Sequence, residues 1–305
     1  MAQVLAVPGH VRHGFSYISQ FNHDFGRITG IAATIKGNIL LCDYDKKNLI
    51  LVDPLGNYLK KLDVDSEPYD VAITSQNIGF ITQPNSRTVL QIDPDRMVLL
   101  FKATCNELNT TVFCVSAFPY TERGFLGKVP CYLGVNNDGC MYAGSVNYEQ
   151  ISSSITDISE NGCKIGSPDV KFHTVNNTFL SCIGGENYLK YYDIGRHQQG
   201  NISIIATMDT PTDICSDDYG HIYISGQGSN NIHRLEDALT ESKKTNRNRA
   251  HYRHNRTETD WKVLDIPLSS SHGIKEPVAL CFNLDYSKLY AVNEWGKSVL
   301  IFDVI

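Results

Sequence analysis

Long apolar runs are missing from this sequence: nothing approaches the ~18 consecutive apolar residues of a membrane-spanning helix. The opening MAQVLAVPGHVRH lacks a basic leader followed by the ~7–15-residue apolar core of a secretory signal. These absences predict a soluble, cytoplasmic chain with no membrane contact. Four sequons, at Asn109, Asn176, Asn201 and Asn255, are what an Asn- and Ser/Thr-rich composition produces by chance and do not argue for glycosylation. Cysteine occurs nine times (Cys42, Cys105, Cys114, Cys131, Cys140, Cys163, Cys182, Cys215 and Cys281) but never as C-x-x-C. Buried free thiols are expected, with a zinc site or a disulfide framework as the alternatives.

Catalytic signatures are equally scarce. The sequence has no G-x-S-x-G elbow, no Walker loop, no H-E-x-x-H and no G-x-G-x-x-G in a βαβ setting. Sustained 3.6-residue apolar periodicity is absent too, with LEDALTESKK the single short helical candidate, which disfavours helical and α/β enzyme folds. The net charge of -6 opposes a phosphate backbone, so nucleic acid would need a local basic patch and no DNA partner is expected.

What the sequence does contain is a globular composition, 42% hydrophobic and 20% charged, over 305 residues, and within it a repeat. Arg27 to Val64 reads RITGIAATIKGNILLCDYDKKNLILVDPLGNYLKKLDV, four short strands separated by turns at Gly37-Asn38, DYDKKN and Pro54 to Asn57. Glu67 to Phe101 repeats the order, Asp70-Val71-Ala72 falling 40 residues after Gly30-Ile31-Ala32. TPTDICSDDYGHIYISGQGSNNIHRLED, from Thr210, and EPVALCFNLDYSKLYAVNEWGKSVLIFDV, from Glu276, carry the same frame. Between them the repeat is faint; FLSCIGG and YLKYYDI supply strands there.

Units of four short strands at this spacing predict an all-β, six-bladed β-propeller. The blades are expected near 27–64, 67–103, 111–160, 166–208, 210–267 and 272–305, in one domain over 1–305. The last unit runs out of chain after three strands, while Gly14 to Phe25 alternates like a strand. That segment is predicted to complete the last blade and close the ring.

The quoted units resemble NHL-repeat propellers, and in particular the C-terminal region of invertebrate, especially molluscan, tripartite-motif (TRIM)-like proteins. The resemblance spans nearly the whole chain and is good in the first, second, fifth and sixth units. It implies a protein-interaction module, capturing substrates for a ubiquitin-ligase system. The RING, B-box and coiled coil that precede such propellers have no counterpart in these residues.

The module reading places partner contacts at polar or aromatic blade-connecting positions, following the second or before the third strand: Tyr44, Lys46, Tyr69, Asn85, Arg87, Gln227, Asn230, Asn293 and Trp295. Lys243 to Arg256, KKTNRNRAHYRHNR, is either a charged loop insertion, a nuclear import signal or an anion or RNA contact through Lys243, Lys244, Arg247, Arg249, Arg253 and Arg256. RNA binding is thus the alternative function. A metal-dependent propeller hydrolase or lyase is the second alternative, because Asp70 and Asp213 open innermost strands and would face the axis with Asp43 and Asp217 nearby. Against it, repeated Asp at equivalent positions more often serves a turn or an inter-strand hydrogen bond. His221 and His233 sit in or beside strand signals and, with Cys215, fit no zinc triad. The sequence alone therefore predicts no enzyme, no catalytic residue, no cofactor and no metal.

Overall fold

In the computed structural model the described residues are 14–104, 112–117, 131–136, 141–146, 153–157, 171–175, 178–182, 187–193, 198–203, 207–237 and 261–305. Among them twenty-four strands pair into six antiparallel four-stranded sheets, an all-β propeller.

Strand β1 (Phe15–Phe21) leaves its sequence neighbours and is met again at the end of the chain. The first sheet holds β2 (Ile28–Ala33), β3 (Ile39–Asp43), β4 (Asn48–Val52) and β5 (Tyr58–Asp63). The second holds β6 (Val71–Ile73), β7 (Gly79–Gln83), β8 (Thr88–Asp93) and β9 (Val98–Thr104). The third is β10 (Val112–Ala117), β11 (Cys131–Asn136), β12 (Met141–Val146) and β13 (Ser153–Asp157). The fourth is β14 (Lys171–Val175), β15 (Thr178–Cys182), β16 (Tyr188–Asp193) and β17 (Gln198–Ser203). The fifth is β18 (Pro211–Ser216), β19 (Ile222–Gly226), β20 (Asn231–Asp237) and β21 (Trp261–Ser269). The sixth has β22 (Pro277–Phe282), β23 (Lys288–Asn293) and β24 (Ser298–Val304), with β1 on its outer edge. Residues Leu235 to Asp237, read from sequence as the start of a short helix, end strand β20 instead.

Burial explains the strand compositions. Every residue of β3 (ILLCD) and β4 (NLILV) is buried, because a middle strand is covered on both faces by neighbouring sheets. The outer strand β5 (YLKKLD) is almost wholly exposed and carries two lysines. Apolar clusters accordingly join sheets rather than lie within them. Ile28, Ile39 and Val52 pack with Val278, Tyr290 and Ile301 of the sixth sheet. Leu40, Leu49 and Leu51 pack with Val71, Ile81 and Leu90 of the second. Each fully buried side chain of this kind contributes roughly 1.5–3 kcal/mol.

The first strands of the sheets touch in a cycle: β2 meets β6, β6 meets β10, β10 meets β14, β14 meets β18, β18 meets β22, and β22 meets β2. Gly30 suits this convergence, since a Cβ there would press to 3.1 Å on both the Asp70 Cα and the Tyr69 carbonyl oxygen.

Strand β1 pairs with β24 from Phe15 opposite Val304 to Phe21 opposite Val299. Two further backbone bonds link Gly14 and Ile305, at 2.8 and 2.9 Å. The Phe21 ring lies over Gly56 of the first sheet, where a Cβ would approach it to 2.2 Å. The Tyr290 hydroxyl donates to the Pro54 carbonyl at 2.9 Å, a second tie from the sixth sheet to the first.

Candidate functional site

Ladder register assigns equivalent positions on the first strands. Gly30 pairs with Cys42, Cys114 with Val135, Lys171 with Cys182, Asp213 with Ser225 and Ala279 with Val292. Asp70 holds this position in the second sheet, its carbonyl accepting the Thr82 N–H at 3.0 Å. One level of the axis thus carries two aspartates and a lysine among small residues.

The two aspartates tie sheets together. An Asp70 carboxylate oxygen accepts the Val115 N–H of the third sheet at 2.9 Å, and an Asp213 oxygen accepts the Leu280 N–H of the sixth at 2.7 Å. Hydroxyl groups repeat the theme: Thr29 donates to the Pro68 carbonyl and Thr212 to that of Pro277. The expectation of an inter-strand role for the repeated Asp is met in this form, with the strand belonging to the next sheet.

Their ionic surroundings differ. Lys171, buried, forms an ion pair with Asp70 and lies 5.3 Å from the centre of the Tyr69 ring. Burial alone would lower its pKa, but the charges of Asp70 and then Asp213 prevail and hold it well above the ordinary lysine value. Asp213 has no such direct ion pair. Burial pushes its pKa up to about 7; Lys171 opposes that rise and Asp70 adds to it.

A cavity of about 290 Å³ extends from this level along the first strands to the β22–β23 turn. Asp70, Asp213, His173, Ser216 and Tyr286 supply polar groups; Ile31, Val71, Val115, Ile214, Leu280 and Phe282 supply apolar wall. His173 Nε2 and Ser216 Oγ are 2.8 Å apart, joining the fourth and fifth sheets. Burial lowers the His173 pKa to about 4, so the ring is neutral at physiological pH. A hydroxyl bonded to a neutral imidazole, beside a carboxyl that titrates near neutrality, can take up and release protons.

The carboxylates expected beside the axial pair lie elsewhere. Asp43 closes β3 and accepts the Gly26 and Lys46 N–H groups at 2.8 and 3.0 Å. Asp217 lies beyond β18 and takes the Tyr219 and His221 N–H groups, the His221 ring at 2.8 Å and the Tyr223 hydroxyl at 3.1 Å. Both are turn residues rather than axial ligands. Among the described residues no group of three His, Cys, Asp or Glu is placed to hold a metal ion. His233 is a core histidine bonded to Thr207 at 3.0 Å. Cys42, Cys114, Cys182, Cys215 and Cys281 are buried free thiols.

Of the expected partner contacts, Tyr44, Tyr69 and Asn85 come together. Asn85 donates to the Tyr44 hydroxyl at 3.0 Å, the Arg27 guanidinium lies 4.7 Å from the Tyr44 ring centre, and Tyr69 meets the Tyr44 and Phe113 rings edge-on. Lys46 pairs with Asp24 at 2.9 Å, and Arg87 is exposed with a left-handed φ of 53°. Gln227 and Asn230 belong to a separate junction, where Asn230 accepts the Glu276 N–H at 2.8 Å. Trp295 is 37% exposed. Asn293 is buried, its amide joining Lys275 N–H and the Gly273 carbonyl at 3.2 and 2.8 Å, which corrects its expected place on the surface. Lys243, Lys244, Arg247, Arg249, Arg253 and Arg256 lie outside the described residues.

Lys171, His173 and Ser216 escape motif reading. Aligning Lys171-Phe172-His173-Thr174 with Asp213-Ile214-Cys215-Ser216 would have found the first two.

No family model matches this chain, and no curated protein does. Its fold does have solved relatives. Hydrazine synthase from Kuenenia stuttgartiensis is similar at a TM-score of 0.60 and 11% identity, over 98% of this chain and 99% of that one. Virginiamycin B lyase from Staphylococcus aureus, as a catalytically inactive form with quinupristin, is similar at 0.58 and 11%, over 95% and 100%. A streptogramin B lyase is similar at 0.60 and 12%, over 96% and 98%. At such identities the likeness establishes the propeller fold alone. It nevertheless overturns the expectation that a propeller without a catalytic motif is no enzyme, because these neighbours are lyases and a synthase.

Proposed function

We propose that the chain is a six-bladed propeller, its ring closed by β1, and that it is an enzyme of the lyase or hydrolase kind working in the axial well. The observation that carries this reading is the hydrogen-bonded His173–Ser216 pair facing a cavity that also holds Asp213. The lyases that share the fold lend support. His173, kept neutral, is the group that accepts a proton, from substrate or from the Ser216 hydroxyl; Asp213 supplies a charge within the same apolar well. Asp70 is held by Lys171 and the Val115 N–H, and Asp213 by the Leu280 N–H, so among the described residues the lining carboxylates serve as structural acceptors rather than as a grouped set of metal ligands.

The test is turnover by the purified chain, followed by mass spectrometry, of a panel of small esters and lactones that includes quinupristin. Turnover should fall at least a hundredfold in His173→Gln and persist in Trp295→Ala, with kcat/KM rising as pH climbs through about 4, where His173 loses its proton. Undiminished turnover in His173→Gln overturns the assignment.

A second reading, a substrate-capturing module of a TRIM-type ubiquitin-ligase system, is favoured by the cluster that Arg27, Tyr69 and Asn85 form around Tyr44. Tyrosine and arginine anchor interfaces well. Capture of a ligase substrate that Tyr44→Ala abolishes would support it.

A further inference from the structure

We propose that the axial well selects a small organic cation, an ammonium group held against Asp213 with its apolar remainder on the Phe282 and Tyr286 wall. This inference rests on the axial well described above and names the class of molecule that it admits.

Sign is the first argument. The residues lining the cavity include Asp70 and Asp213 but neither lysine nor arginine, and the lining histidine, His173, is neutral. Lys171, the nearest cation, is committed to Asp70 and to the Tyr69 ring. An anion entering the well would meet carboxylates, with Lys171 already paired to Asp70, whereas an ammonium ion would offset the charge of ionised Asp213. The second argument is shape. About 290 Å³ lies at the lower end of the ~300–1,000 Å³ of small-molecule sites and suits a compact ligand. The third is the wall itself. Tyr286, partly exposed on the cavity wall and 6.0 Å ring to ring from the buried Phe282, offers aromatic surface of the kind that attracts cations.

Binding should then be linked to protons. The groups that face Asp213 are Asp70 on β6, Lys171 on β14, Cys182 on β15, Cys215 on β18 and Cys281 on β22, besides His173 and Tyr286 on the cavity wall. The thiols are held protonated by burial, so Asp213 is the group whose charge changes near neutrality. An ammonium ion binds its ionised form, and the ionised fraction grows with pH.

The experiment is calorimetric titration of the full chain with benzylammonium, benzyl alcohol and benzoate, three probes of one shape and different charge. Benzylammonium is expected to bind at least tenfold more tightly than the other two, and roughly five- to tenfold more tightly at pH 8 than at pH 6. Asp213→Asn keeps an acceptor for the Leu280 N–H and should lose both preferences. Without any substitution, the Asp213 carboxyl carbon resonance should titrate near pH 7 in the free chain and at lower pH with benzylammonium. Equal binding of cation and alcohol, or an unmoved Asp213 titration, overturns the proposal. Cation binding without turnover of any substrate would leave it standing and sink the catalytic reading; turnover of neutral substrates with no cation preference would do the reverse.

Discussion

Asp70 and Asp213 occupy the same repeat position on opposite sides of a lysine, and each accepts a peptide N–H from the following sheet. On the Asp70 side the residue also lines the cavity, but its charge is matched by the buried Lys171. On the Asp213 side a half-buried carboxylate without an ion pair faces a cavity. One repeat position thus makes a strut in one place and a reactive group in another. What decides is the residue at the same level of the neighbouring strands, not the aspartate.

Removing the match should give the largest effect. Lys171→Met strands Asp70 as a buried charge and is expected to cost about 3–5 kcal/mol in urea unfolding. Adding Asp70→Asn should recover most of that loss; no recovery would mean that Lys171 acts through packing alone. Asp213→Asn should move stability the other way, and only at high pH. A carboxyl raised from 3.8 to about 7 imposes no penalty while both states are protonated, begins to destabilise as pH passes its unfolded value, and costs most above its folded value. The variant should therefore gain on the order of 2–4 kcal/mol at pH 8 and nothing at pH 4. A gain independent of pH would contradict the open carboxylate.

Gly30 tests the same level where no charge is present. Gly30→Ala should cost about 1–3 kcal/mol by thermal unfolding, because the added Cβ would press on the Asp70 and Tyr69 backbone at 3.1 Å and the neighbouring sheet must shift by a few tenths of an ångström. Ser216→Ala is expected to change stability least, by about 1 kcal/mol or less, since one partly exposed hydrogen bond is lost. A much larger loss would recast the His173–Ser216 pair as a structural tie.

The sheets were legible wherever strand and turn residues repeat in phase, as in Gly30-Ile31-Ala32 and Asp70-Val71-Ala72. The site was half legible. Asp70 and Asp213 advertise themselves by recurring in one frame. Lys171 and His173 fill that frame with residues that break the consensus, and a search for similarity passes over them. Asp43 and Asp217 misled because an acidic residue at a strand end looks alike from sequence whether its side chain faces the axis or caps the following turn. His173 and Ser216 become a pair only when two sheets are set side by side, and no spacing along the chain encodes that.

The pairing of β1 with β24 has a mechanical consequence. Gly14 and Ile305 stand at the same end of the ladder. Tension applied between those two residues would load the hydrogen bonds one rung at a time and peel the strand away like a zip. Tension between Gly14 and Ser298, at the far end of β24, would instead load every rung together in shear. The same seam is thus weak or strong according to the direction of pull, and single-molecule stretching from the two pairs of attachment points would register it as two very different rupture forces.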